Sequence, residues 1–283
     1  MPPRQQRPKL GQNFLVSPTA QAAIVDALGD VTERTVVEIG PGHGAITALL
    51  ATRARRLVAI ELDRDLAPRM RAQFTDRSSV EVLEQDVLTT DFAELRDKDP
   101  SANADAPENA GGPGDKLLVV GNLPYYITTD ILLQLFRFHT VIERAVVMIQ
   151  REVADRIAAQ AGTHDYGILS ATAQMYARVE KLMTLPPEAF SPPPQVHSTV
   201  LRLTMAPRFD ELQVPPDEFL AFIRTCFAQK RKMLAKNLRN AGHDSNAIAA
   251  AVASCNISPQ SRAEEIGLPT MACLFRRLHL TEL

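Results

Sequence analysis

The sequence predicts an α/β fold: a mostly parallel sheet with helices on both faces, its last strand antiparallel, and a small all-helical domain at the C-terminus. Three observations predict it. From Thr35 to Gln160, short apolar runs alternate with stretches of helical spacing, the rhythm of βα units in a covered parallel sheet. The first apolar run, "TVVEI", enters a glycine-rich turn, "GPGHG", that leads straight into a helical pattern. After residue 165 the rhythm changes to two strands around a proline-rich loop and then to helical patterns alone.

The elements follow in order. Ser17-Pro18-Thr19 before "AQAAIVDAL" reads as a capped helix, with the proline at its start. "TVVEIG" is the first strand and "AITALLATRA" its helix. "RRLVAIELD" is the second strand, "APRMRAQF" a helix, "SVEVLEQDVL" the third strand and "KLLVVGN" the fourth. "TTDILLQLFRF" is a helix, "RAVVMIQ" the fifth strand and "REVADRIAAQ" its helix. "VEKLMTLPPEAFSPPPQVHSTVLRLTM" supplies the two strands that close the sheet, and "RFDELQVPPDE" reads as a linker. "FLAFIRTCFAQKRKMLAKNLRNA" and two shorter helical patterns make the tail. Residues 1–206 and 207–283 are therefore expected as two domains. Residues 96–116, rich in Pro, Gly, Ala, Asp and Asn, lack any apolar period and read as a surface insertion.

Composition narrows the function. No stretch reaches the ~18 to 20 apolar residues of a membrane span, and "MPPRQQRPKLGQNFL" has no apolar core of a secretory signal. Cys226, Cys255 and Cys273 are odd in number and far apart. They suggest neither a metal site nor a disulfide framework and suit a reducing cytosol. The net charge of −2 hides an uneven distribution. Six acids lie between Glu94 and Lys116, whereas Phe219 to His243 holds six Lys/Arg and no acid. Arg4, Arg7 and Lys9 add a basic N-terminus. Local basic surfaces of this kind admit a nucleic-acid partner.

The chemistry lies at the strand ends. Gly40, Gly42 and Gly44 let the backbone approach a ligand at a helix N-terminus. Glu61 stands about 20 residues beyond the glycine turn, where an acid binds ribose hydroxyls. Asp86 ends the third strand over the same crevice and suits an adenine amine. His43 reads as a loop residue between glycines. Asn122 ends the fourth strand, and Pro124 holds Leu123 extended. A side-chain carbonyl and a backbone carbonyl side by side can accept both hydrogens of an exocyclic aromatic amine and free its lone pair for attack. Tyr125 offers a stacking face for a flipped base.

"GQNFL", "VVEIGPGHGAITALLA", "IELDRDL", "QDVL", "GNLPYYITTDIL", "MIQREVADRI", "FSPPPQVHSTV", "QKRKMLAKNL" and "SRAEEIGLPTMACLFRRL" together resemble the ribosomal RNA adenine dimethyltransferases. The resemblance runs from about residue 8 to the C-terminus, with only 96–116 outside it, and is nearest to the bacterial small-subunit branch. It implies a Rossmann-like methyltransferase sheet, S-adenosylmethionine as cofactor, and 16S rRNA in the immature small subunit as partner, with two adjacent adenines near the 3′ end as targets. A monomer in the cytoplasm, with no metal and no membrane, is expected. Asn13, Leu15, Gly40, Gly42, Glu61, Asp86 and Asn122 are implied at the cofactor; Leu123, Pro124 and Tyr125 complete the target-amine site with Asn122, and Phe190 is implied as a second ring against the base. Lys230, Arg231, Lys232, Lys236 and Arg239 are the candidate RNA contacts, with Lys232, Lys236 and Arg239 on one helix face. A 23S rRNA methylase of the macrolide-resistance type and a non-catalytic assembly factor remain as alternatives. A nicotinamide-dependent oxidoreductase would leave "NLPY" and the basic tail unexplained.

Overall fold

The structure, a computed structural model, describes residues 12–98 and 116–279. Arg4, Arg7, Lys9 and residues 99–115 of the expected insertion lie outside the described residues, while its first residues, 96 and 97, close a helix.

The first compact unit holds a seven-stranded sheet. Its elements begin with β1 (Phe14–Leu15), α1 (Pro18–Asp26), β2 (Thr35–Ile39), α2 (Ala45–Leu50), β3 (Arg56–Glu61), α3 (Leu66–Gln73), β4 (Val80–Glu84) and α4 (Phe92–Asp97). They continue with β5 (Leu117–Asn122), α5 (Thr128–Arg137), β6 (Ile142–Gln150) and α6 (Arg151–Ala158). After α7 (Ile168–Tyr176) come β7 (Ala177–Leu185), β8 (Phe190–Ser191) and β9 (Ser198–Met205). The sheet order is β4-β3-β2-β5-β6-β9-β7. Strands β4 to β6 pair in parallel, and β9 runs antiparallel to β6. The sequence explains the parallel part: β2, β5 and β6 are rich in Val, Leu and Ile, and most of their residues are buried on both faces. Val36, Leu57, Leu118, Val146 and Val200 are wholly buried in one core, each worth roughly 1.5–3 kcal/mol of removed apolar surface. Serine at the cap of α1 accepts from the Ala20 amide, and Pro18 sits at its first position. A second, two-stranded pairing joins β1 to β8, Leu15 opposite Phe190. Nothing in the local pattern of either dipeptide signals it.

The second unit is helical: α8 (Phe209–Leu212), α9 (Pro216–Cys226), α10 (Leu234–Asn240), α11 (Ser245–Ser254) and α12 (Leu268–His279). Phe219 and Phe222 of α9 meet Phe275 of α12, each with ring centroids 5.5 Å apart. The division after Met205 falls beside the expected 206/207 boundary, but Asp155–Val179, with α7, clusters with the helical unit. The expected linker contains the short helix α8.

Two readings are corrected. The run from Phe219 to Ala241 is not one helix: α9 ends at Cys226, and Lys230, Arg231 and Lys232 lie in a turn before α10. The cause is Asn237, whose buried carboxamide donates to the carbonyls of Cys226 (2.7 Å) and Gln229 (3.3 Å) and so stops the helix without glycine or proline. Lys232 therefore does not share a helix face with Lys236 and Arg239. Cys255 and Cys273 form a disulfide across 18 residues, against the expected absence of one; Cys226 is buried and free. No helix among the described residues is long and apolar enough to cross a membrane.

Candidate active site

Sheet order reverses at β2, which lies between β3 and β5. The connections that leave the carboxyl ends of neighbouring strands at such a point run to opposite faces of the sheet and leave a crevice. A cavity of about 240 Å³ opens there, walled by Ile39 and Gly40 at the end of β2, Ile60 and Glu61 of β3, Asp86 after β4, and Asn122 to Tyr125 at the end of β5.

The glycine turn shapes one side. Gly40, Gly42 and Gly44 have φ of +65°, +58° and +79°, the left-handed region that side chains avoid. At Gly42 an added Cβ would also lie 2.7 Å from the Phe14 ring. Phe14 thus closes over the turn, and its ring sits 4.0 Å from that of His43, the exposed loop residue. Glu61 fastens the turn from below: one carboxylate oxygen accepts from the Gly42 amide at 3.2 Å, the other from the Asp63 amide at 2.9 Å. Burial pushes its carboxyl above the ordinary value, while these amides pull the other way. Each oxygen keeps a lone pair for a ligand hydroxyl. One oxygen of Asp86 caps the following turn through the Leu88 amide at 2.9 Å. Leu62, Val87 and Ile60 supply apolar walls between the two acids. This set fits an adenosine: vicinal hydroxyls at Glu61, a ring between apolar walls, and an amine at Asp86.

The other side presents acceptors. Asn122 donates its Nδ2 hydrogen to the Asn13 backbone carbonyl at 2.8 Å. That contact leaves Oδ1 as the free end of the amide at the cavity. The Leu123 amide donates to the Met148 carbonyl at 3.0 Å, and the Pro124 carbonyl is occupied by the Thr128 hydroxyl at 3.0 Å. The Leu123 carbonyl accepts no hydrogen bond among the described residues. Asn122 Oδ1 and the Leu123 carbonyl are therefore the two acceptors available at this corner. Tyr125 stands beside them, half-buried, its hydroxyl 2.7 Å from that of Ser198.

Of the residues singled out in the sequence, Asn13, Gly40, Gly42, Glu61, Asp86, Asn122, Leu123, Pro124 and Tyr125 wall this cavity. Leu15 and Phe190 do not: both are buried in the hydrophobic core behind it. Gln12, Phe14, Leu62, Gln85, Val87 and Tyr126 also line it and escaped the sequence reading. Their one signal is adjacency to a motif residue. Lys230 to Arg239 belong to the helical unit.

The profile of the family described as "Ribosomal RNA adenine dimethylase" matches residues 4–278. The chain belongs to that family. It is 59% identical over 272 residues to a "Ribosomal RNA small subunit methyltransferase A" of Acidobacterium capsulatum, covering 96% of this chain and 91% of that one. A protein of the same name from Koribacter versatilis is 48% identical over 278 residues, covering 95% and 93%. Among solved structures, a dimethyladenosine transferase from Plasmodium falciparum superposes with a TM-score of 0.73 at 21% identity, over 92% of this chain and 95% of that one. The 23S rRNA methyltransferase ErmE superposes with a TM-score of 0.67 at 23% identity, over 94% and 99%. These two likenesses share the fold. As a member of the family, the chain is an rRNA adenine dimethyltransferase, and its cofactor is S-adenosylmethionine. The residues on this side of the cavity suit that cofactor's nucleoside: Glu61 would hold the ribose hydroxyls and Asp86 the adenine amine. When bound, it supplies a methyl group already activated by a sulfonium.

Proposed function

We propose that this enzyme methylates the exocyclic amines of two adjacent adenines in the 3′-terminal hairpin of 16S rRNA, acting as a cytoplasmic monomer on the immature small subunit. The observation that carries the chemistry is the pair of unengaged acceptors, Asn122 Oδ1 and the Leu123 carbonyl. An adenine amine is a poor nucleophile because its lone pair is delocalised into the ring. Two accepted hydrogen bonds favour a tetrahedral nitrogen and return the lone pair for attack. After a first methylation one N–H remains, so one acceptor still orients the amine for a second. The Tyr125 ring holds the extruded base. Phe190, expected as a second ring against the base, is buried in the core of this structure.

The small subunit is supported by the name that the 59% and 48% identical relatives share. RNA contact falls to the helical unit. Arg231, Lys232, Lys236 and Arg239 are exposed there, and exposed cations suit phosphates. Lys230 is the exception: its Nζ is held by the His164 carbonyl and lies 3.9 Å from Glu264.

The test is to incubate the protein with isotope-labelled cofactor and either immature small subunits or large subunits, and to map the label by mass spectrometry. Label on two adjacent adenines of 16S rRNA supports the reading. Label on 23S rRNA alone rejects it.

A further inference from the structure

We infer that Ser198 is a positioning residue: its hydroxyl tethers the Tyr125 ring in the orientation that receives the target base. The inference rests on the proposed adenine chemistry and adds to it a residue on a distant strand.

The two tyrosines after Pro124 are held differently. Tyr126 is 63% exposed, and its hydroxyl meets no partner among the described residues. Tyr125, one residue earlier, is half-buried, and its hydroxyl reaches Ser198 Oγ at 2.7 Å, from a residue 73 positions away. Ser198 is fully buried. It is the first residue of β9 and pairs with Gln150, the last of β6, so its position is set by two sheet strands. At the other end of the ring, the backbone is pinned by the Thr128 hydroxyl on the Pro124 carbonyl at 3.0 Å. A tyrosine fixed at Cα alone still turns about its side-chain bonds. A second attachment at the hydroxyl, which lies on the long axis of the ring, fixes where that axis points and so where the ring stands. Burial pushes the Tyr125 hydroxyl above its ordinary value, so it stays a neutral donor or acceptor to Ser198.

A stacking face needs only the ring, so simple stacking predicts that loss of the hydroxyl is silent. The tether predicts the opposite. Ser198→Ala and Tyr125→Phe should each lower the single-turnover transfer rate by about three- to tenfold, the worth of one neutral hydrogen bond. The double variant should be no slower than either single one, because both remove the same bond. Cofactor affinity, read by calorimetry, should not change. With 2-aminopurine in place of the target adenine, both variants should show altered fluorescence quenching in the bound RNA. A rate within about twofold of the parent for either single variant, or losses that multiply in the double variant, overturns the tether. Tyr125→Phe keeps this decision open even where Ser198→Ala disturbs folding. A parent enzyme that labels no small-subunit adenine rejects the proposed substrate, and the tether falls with it. An active parent with silent variants rejects the tether alone.

Discussion

The carboxamide of Asn122 is oriented by the backbone carbonyl of Asn13, 109 residues away, at 2.8 Å. The N-terminal segment therefore sets which end of the amide faces the cavity. The same short segment closes the glycine turn through Phe14 and pairs through β1 with β8. The glycine turn, the Asn122 amide and β8 are thereby joined by one short segment.

Glu61 does two jobs, fastening the Gly42 amide and facing the cavity. Replacing it with Ala should weaken binding of S-adenosylmethionine or its demethylated product by about 10- to 150-fold, the worth of a charged hydrogen bond. RNA affinity should remain within about twofold of the parent. Calorimetry with each ligand separates the two. Unchanged cofactor affinity would move the ribose contact to another residue.

Glu38 gives a stability prediction. It is buried in β2, accepts from the Thr47 hydroxyl at 2.6 Å, and has its carboxyl pushed from 4.5 to about 7 by burial, with the Glu61 charge adding to the rise. Below pH 4.5 both folded and unfolded chains hold this proton. As pH climbs toward about 7 the unfolded chain releases it first, so stability falls through that window. Glu38→Gln keeps an acceptor for Thr47 and cannot ionise. It should flatten that fall and stabilise the protein above pH 7 by something on the order of 3 kcal/mol. Denaturant melts at pH 5 and pH 8 read the difference. Parallel pH profiles for parent and variant would mean that Glu38 is ionised in the fold.

The basic surface of the helical unit is tested by salt. Changing Lys232, Lys236 and Arg239 together to Gln should weaken binding to small subunits. The log–log salt slope should flatten by roughly 0.7 to 0.9 for each phosphate that the variant no longer neutralises. Cofactor affinity should stay as it was. Equal affinity and equal slope would place the RNA on another surface.

What was legible in the sequence followed from local chemistry. Glycines forced into left-handed turns, acids at strand ends and a polar tetrapeptide after an apolar run all announce themselves within a few residues. Gly40, Glu61, Asp86 and Asn122 could be named that way, and so could every strand from β2 to β6. What was not legible depends on distant partners. Asn237 breaks the expected tail helix by reaching back to Cys226 and Gln229. The helix α7, which precedes β7 and β9 in the chain, joins the helical unit and not the sheet. Phe190 sits in a proline-rich motif that suggests a site, yet its pairing opposite Leu15 puts both side chains into the core. The Cys255–Cys273 bond depends on the packing of α11 and α12, since spacing alone marks no pair.

The central claim is that Asn122 Oδ1 and the Leu123 carbonyl activate the target amine. Single-turnover transfer by Asn122→Ala, measured on small subunits at saturating cofactor, tests it most directly. Loss of one transition-state hydrogen bond predicts a rate lower by about 10² to 10³, with the circular dichroism spectrum unchanged. A variant that methylates within about threefold of the parent would remove Asn122 from the chemistry.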